Sequence, residues 1–213
     1  MPKLDCLVDG SLKRDEVLNA LGLDPSRKTI LYAPTWSRYS SVVTLGEELV
    51  QRLSEAGFCL IVKLHDRSRD LKYTHSGGVD WGARLEPLLQ KFGGLLASGH
   101  NSSKYLPAAD IMITDHSSVG FEYLLLDRPL IRIHVPELIR HTDIEPSYVD
   151  LLASASTSVN TVDELMKAVE RAFANPHEYS ATRNAVANEM FYKPGTATDR
   201  AVKELYELLE LEA

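Results

Sequence analysis

The segment Ala109-Asp110-Ile111-Met112-Ile113-Thr114-Asp115-His116-Ser117-Ser118 runs from a short apolar stretch through a polar turn into a helix. Ile111 to Thr114 reads as a strand. Ser117 to Leu126 reads as a helix that is apolar nearly all round (Val119, Phe121, Tyr123, Leu124, Leu125, Leu126), so deep burial is expected. Working outward, the same alternation of short apolar runs with amphipathic stretches recurs, the pattern of βαβ units and a parallel sheet. Strands are expected over Thr29 to Ala33, Phe58 to Leu64, Leu95 to Ala97 and Pro129 to Val135. Helices are expected over Leu45 to Ala56, closed by Gly57, and over Leu85 to Phe92, closed by Gly93-Gly94. Asp66 to Trp81 reads as a long polar loop, and residues 136–158 show no clear period. Thr161 to Ala174 carries the clearest helix signals, with a Thr161/Glu164 capping box and an Asn175-Pro176 stop. A last helix is expected from Ala197 to about Leu211, with Val202, Leu205, Tyr206 and Leu209 as its apolar stripe. The fold class is therefore α/β, a Rossmann-like parallel sheet with helices on both faces.

In such a sheet, ligands bind at the carboxyl ends of the strands, beside helix N-termini. Three strand ends carry polar residues. Pro34-Thr35-Trp36-Ser37 follows the first strand and offers hydroxyls, although a turn with a helix cap is the plainer reading. Lys63 and His65 fall on one face at the end of the second strand, where a cation and an imidazole suit a phosphate or a developing negative charge. The alternative is a snorkelling lysine and a capping histidine. Asp115-His116-Ser117-Ser118 opens the buried helix, whose first amides are unsatisfied and attract anions. There the alternative is a simple N-cap. No Gly-rich phosphate loop and no Gly-x-Ser-x-Gly elbow is present. His65-Asp66 and Asp115-His116 match no metal spacing, so no metal and no cofactor is expected. His75, His100, His134, His141 and His177 are expected to be exposed or incidental.

Composition narrows the classes. A formal net charge of -7 argues against a nucleic-acid partner, which would need a basic face. No apolar run is long enough to cross a bilayer, and no signal peptide opens the sequence. The two cysteines, Cys6 and Cys59, are far apart in sequence, and a reducing, cytoplasmic setting is the simplest expectation.

Ile30 to Trp36, Val62 to His65 and Ala109 to Ser118 resemble the CDP-glycerol glycerophosphotransferases of teichoic acid synthesis. Pro2 to Asp5 is similar to the opening of that family's second domain, and Gly195 to Arg200 to its closing segment. The resemblance implies the C-terminal half of a GT-B transferase, residues 1–213 forming a single Rossmann-like domain that binds the nucleotide donor, with C-terminal helices over about 161–211. It implies a CDP-glycerol or related nucleotide-diphosphate donor. It makes His65 the catalytic residue, stabilising charge on the diphosphate. Ser117, Ser118, Lys63, Asp115, His116 and Arg200 would hold the diphosphate, and Pro34, Thr35, Trp36 and Glu122 would shape the nucleotide pocket. The general-base histidine belongs to the N-terminal acceptor domain, so this chain alone is expected to bind donor without turnover. Any membrane contact, at the inner face of the cell membrane, falls to that other half. The sequence departs from the family pattern at His116 (commonly tyrosine), Asp66 (commonly proline) and Glu122 (aspartate). A tyrosine and arginine-glycine pattern expected after the strand at Pro129 to Val135 is not recognisable in residues 136–158.

Two other readings use the same architecture. A UDP-sugar glycosyltransferase or sugar-nucleotide epimerase would prefer uridine ligands. A non-catalytic flavodoxin-like module would bind no nucleotide and would tolerate loss of Ser117 or His65. If the last helix belongs on the other half, its apolar stripe must either fold back here or drive self-association.

Overall fold

Strands and helices alternate along residues 1–210, which are the residues described by the computed structural model. Helices α1 (Asp5–Val8) and α2 (Arg14–Ala20) precede β1 (Thr29–Tyr32) and α3 (Ser41–Glu55). Next come β2 (Cys59–Val62), α4 (Tyr73–Ser76), α5 (Trp81–Lys91) and β3 (Leu95–Leu96). Strand β4 (Ile111–Thr114) leads to α6 (Ser118–Leu124), and β5 (Leu130–Ile133) to α7 (Pro136–Arg140) and α8 (Pro146–Ser154). Strand β6 (Thr157–Val159) is followed by α9 (Val162–Ala174), α10 (Ser180–Met190) and α11 (Ala197–Leu208). The strands form one parallel sheet in the order β3-β2-β1-β4-β5-β6. The order reverses between β1 and β4, which opens a crevice at their carboxyl ends.

Alternation along each strand feeds two cores. Ile30, Tyr32, Leu60, Val62, Ile111 and Ile113 face one side, under α3, α5 and α9. Leu31, Cys59, Ile61, Met112 and Leu130 face the other, against α1, α2, α6 and α10. Both faces of the central strands are fully buried, which is why their sequences read as unbroken apolar runs. At the amino end of the sheet, the Arg14 guanidinium grips both Asp110 oxygens at 2.8 and 2.9 Å, and Asp110 Oδ2 also accepts from Thr29 N at 2.8 Å.

The differences from the sequence expectation have identifiable causes. Helix α3 starts at Ser41, four residues before the expected Leu45, because a distant carboxylate, Asp115, accepts from Ser41 N and Oγ and holds that first turn. Helix α5 starts at Trp81 rather than Leu85, with Asp80 capping it through a 3.0 Å bond from Ala83 N. The expected loop from Asp66 to Trp81 contains a 3-10 turn (Asp66–Ser68) and α4. The unreadable residues 136–158 hold α7, α8 and the start of β6, an edge strand whose Ser158 is exposed and so breaks the apolar run. Helices α1, α2 and α10 were not anticipated. Helix α10 is fixed by polar contacts more than by a stripe: buried Arg183 donates to Asp127 Oδ1 at 2.9 Å. Helix α11 has no buried residue, and Val202, Leu205 and Tyr206 are all exposed; the expected end at Leu211 lies outside the described residues. Among the described residues no helix is long and apolar enough to cross a membrane.

Candidate functional site

The carboxyl ends of β1, β2, β3 and β4 surround a cavity of about 320 Å³. Pro34, Thr35 and Trp36 come from the turn after β1, and Lys63 and His65 from the end of β2. His116, Ser117 and Ser118 form the wall at the start of α6. Eight residues expected from three separate segments thus meet in one place. Parallel strands bring this about: β1 is hydrogen-bonded to both β2 and β4, so the turns leaving them emerge side by side.

Each side chain has a definite state. Lys63 is buried and donates to Leu64 O at 2.7 Å; burial pushes its ammonium pKa down. His65 is exposed, and its Nδ1 accepts from Arg67 N at 3.1 Å. Partial desolvation lowers the imidazole pKa, so the neutral ring carries its proton on Nε2 and remains a hydrogen-bond donor. The Trp36 indole lies 5.9 Å from the His65 ring and carries the Arg67 guanidinium 4.2 Å from its centroid. Ser117 is the N-cap of α6 by backbone geometry, yet its side chain makes no capping bond, which leaves the hydroxyl available. The simple N-cap alternative therefore does not describe Ser117. At the start of α6 Gly120 N donates to Ser117 O at 2.9 Å, while the amides of Ser118 and Val119 have no partner inside the helix.

Asp115 does not line the cavity. It is wholly buried behind it, where Oδ1 accepts from Thr35 N and His116 N at 2.7 Å each, and Oδ2 from Ser41 N at 3.0 Å and Ser41 Oγ at 2.9 Å. Desolvation raises its pKa and these four donors oppose the rise. Its place is structural: it ties the turn after β1 to the turn after β4. Arg200 and Glu122 also lie off this cavity. They line an adjoining one of about 370 Å³ that shares Ser118 with it. There Glu122 Oε1 accepts from Lys3 Nζ at 2.7 Å, while Oε2 is buried without a partner. Arg200 stacks on Tyr192 at 4.9 Å and donates to Tyr192 O.

Three residues of the region were not singled out from sequence. His100 and Ser102 line the cavity from the turn after β3. His100, expected to be incidental, pairs with Asp66 at 2.9 Å; the polar run Ser98 to Ser102 at a strand end was the available signal. Arg132, a lone cation inside the apolar strand β5, is buried with Nε and Nη1 unpartnered and donates to Ser158 Oγ at 3.0 Å. His116 is held neutral first by desolvation and then by the charge of Arg132, and its buried Nδ1 has no partner.

The family model of CDP-Glycerol:Poly(glycerophosphate) glycerophosphotransferase matches residues 1–207. The chain belongs to this glycerophosphotransferase family. It is 33% identical over 112 residues to the teichoic acid glycerol-phosphate primase of Bacillus subtilis (strain 168), which covers 49% of this chain and 25% of the primase. It is 26% identical over 167 residues to the teichoic acid poly(glycerol phosphate) polymerase of Bacillus spizizenii, covering 73% of this chain and 39% of that protein. Solved structures of the wall teichoic acid polymerase TagF share its fold. One, obtained after a soak with CDPG, superposes with a TM-score of 0.69 at 19% identity over 98% of this chain and 51% of that one. A lipopolysaccharide glycosyltransferase, WaaG, superposes more loosely, at 0.52 and 13% identity over 88% of this chain and 49% of that one. The fold is that of one Rossmann-like half of GT-B enzymes. The chain spans less than half the length of these curated relatives and about half of the solved TagF chain.

Proposed function

We propose that this glycerophosphotransferase-family chain is the donor-binding domain of a transferase that moves glycerol phosphate, or a similar polyol phosphate, from a CDP-linked donor to a hydroxyl acceptor. The observation that carries the reading is the meeting of Lys63, His65, Ser117 and Ser118 around one cavity beside the start of α6. The donor's diphosphate fits that lining: hydroxyls, helix-start amides and an ammonium are all donors to phosphoryl oxygens. In this reading the acceptor hydroxyl attacks the β-phosphorus, a new P–O ester bond forms, and the bond to the bridging oxygen breaks. CMP leaves with that electron pair. Neutral His65 donates from Nε2 to a phosphoryl oxygen and offsets the charge that builds there. Asp115 acts by positioning the Thr35 and His116 turns. Glu122 and Arg200 serve the nucleoside side through the adjoining cavity.

The base that takes the hydroxyl proton, the main acceptor-binding surface and any membrane contact belong, in this reading, to the part of the longer relatives that this chain does not span. The whole chain, including the helices over about 161–211, then acts as one donor-binding domain on the cytoplasmic side of the membrane.

Calorimetric titration with CDP-glycerol, CDP, UDP and UDP-N-acetylglucosamine tests the reading. Cytidine ligands are expected to bind more tightly, and Ser117→Ala and His65→Ala are each expected to weaken them roughly tenfold, about 1.4 kcal/mol. A uridine preference would move the function to sugar-nucleotide chemistry. Unchanged affinity in both variants would remove the diphosphate site.

A further inference from the structure

A second cavity, of about 630 Å³, opens on the other side of the Thr35, Trp36 and His116 wall. These three residues line both cavities. The new one is completed by Arg38 and Tyr39 from the segment before α3, His75 from α4, and His141 with its neighbours just after α7. In a chain of net charge -7, its lining contains one arginine and three histidines and no aspartate or glutamate. Of the acids beside it, Asp70 pairs with His75 at 2.9 Å, Glu137 contacts both Arg140 and His141, Asp115 is turned to its own donors behind the shared wall, and Asp143 is exposed between Thr142 and Ile144. Among the described residues Arg38 makes no ion pair. Its guanidinium stacks over Tyr39 at 4.6 Å and Tyr73 at 5.1 Å and hydrogen-bonds the Tyr39 hydroxyl, so most of its five donors are unused. Tyr39 in turn stacks on His141 at 4.4 Å and 14°. The arrangement is a cation held on an aromatic platform, and at the shared wall the buried Nδ1 of His116 has no protein partner.

We propose that this second cavity is an anion subsite for the acceptor, with Arg38 and His141 holding the phosphate of a polyol-phosphate acceptor while its hydroxyl reaches the donor past Thr35 and His116. The inference rests on the donor reading of the first cavity and adds to it a place and a chemistry for the second substrate. The shared wall supplies the logic. An attacking hydroxyl must approach the donor phosphate from an adjoining space. Of the two cavities described beside the donor cavity, the one beyond Ser118 sets Arg200 and Lys193 against the carboxylates of Asp5 and Glu122 among apolar side chains such as Phe121 and Phe191, whereas this one presents a guanidinium and imidazoles with no carboxylate in its lining.

The test is titration of the 213-residue chain, already saturated with CDP, with sn-glycerol 3-phosphate at millimolar concentrations, followed by nuclear magnetic resonance or calorimetry. Binding to the CDP-loaded chain is expected, weakened tenfold or more in Arg38→Ala and in His141→Ala, with CDP affinity unchanged in both. Retained CDP affinity also shows that the variants are folded. Displacement of CDP by glycerol 3-phosphate would mean one anion site rather than two and would overturn the proposal. So would a loss in Arg38→Ala confined to CDP-glycerol, which would give the cavity to the donor's own polyol. Failure of CDP itself to bind would instead overturn the donor reading on which the proposal stands.

Discussion

Asp115, expected among the diphosphate-holding residues, lies buried behind the cavity rather than on its wall. The sequence places it next to two serines at a helix start, where a carboxylate suggests either a cap or a ligand contact. Its four donors come from Thr35, Ser41 and His116, three of them 74 or 80 positions away, and no local pattern announces such partners. Asp115→Asn keeps the shape but turns one acceptor into a donor facing either the Ser41 or the Thr35 side. The variant is expected to lose about 2–3 kcal/mol of stability, the cost of leaving buried donors unpaired, and to lower donor affinity as well. Chemical denaturation checks the first, and an unchanged midpoint would remove the clamp. The histidines make a second residue-scale prediction. Desolvation holds His65 and His116 below the ordinary imidazole value of about 6.5. As pH falls through that value the unfolded chain takes protons first, so the contribution is fully present above it and is lost towards acid. His116→Gln should therefore flatten the fall in melting temperature between about pH 7 and pH 5.

At the scale of elements, the strands were legible because burial on both faces leaves an unmistakable apolar run, and α9 because its cap and stop are local. Helix starts fixed from elsewhere were not: α3 depends on Asp115, and α10 on an Arg183–Asp127 pair. The turn from α5 to β3 shows the opposite case, a local signal with a packing reason. Gly93 has φ of +70°, as a helix-closing glycine should, but Gly94 is needed for space. A Cβ at Gly94 would lie 2.8 Å from the Leu60 carbonyl oxygen and 3.0 Å from Leu89 Cδ2. The carbonyl belongs to a strand and cannot yield, so Gly94→Ala is expected to cost about 1–3 kcal/mol. A melting temperature equal to the parent's would show that β3 adjusts freely.

At the scale of the molecule, α11 stands apart. The Asp5 carboxylate accepts from Ala197 N at 3.1 Å and Thr198 N at 2.6 Å, so the helix is fastened to the chain's first turn only at its start. Beyond that point Val202, Leu205, Tyr206 and Leu209 remain exposed, so the stripe does not fold back on this domain. Self-association is the remaining outcome weighed for it. Light scattering of the isolated chain is expected to show mass rising with concentration, and Leu205→Lys to suppress the rise. A constant monomer mass would show that the stripe is tolerated in water.

The amino-acid sequence alone determined the α/β class, the parallel sheet, the family and eight residues that line one cavity at the strand ends, because these depend on short-range patterns: apolar runs, caps, and polar residues at strand ends. Tertiary structure decided what each polar residue does. It turned Asp115 inward, moved Glu122 and Arg200 to an adjoining cavity, and brought His75 and His141, expected to be incidental, onto the wall of a second cavity beside the first. Those assignments depend on which strands are neighbours and on contacts between segments tens of residues apart. Side-chain periodicity along one segment carries no information about them.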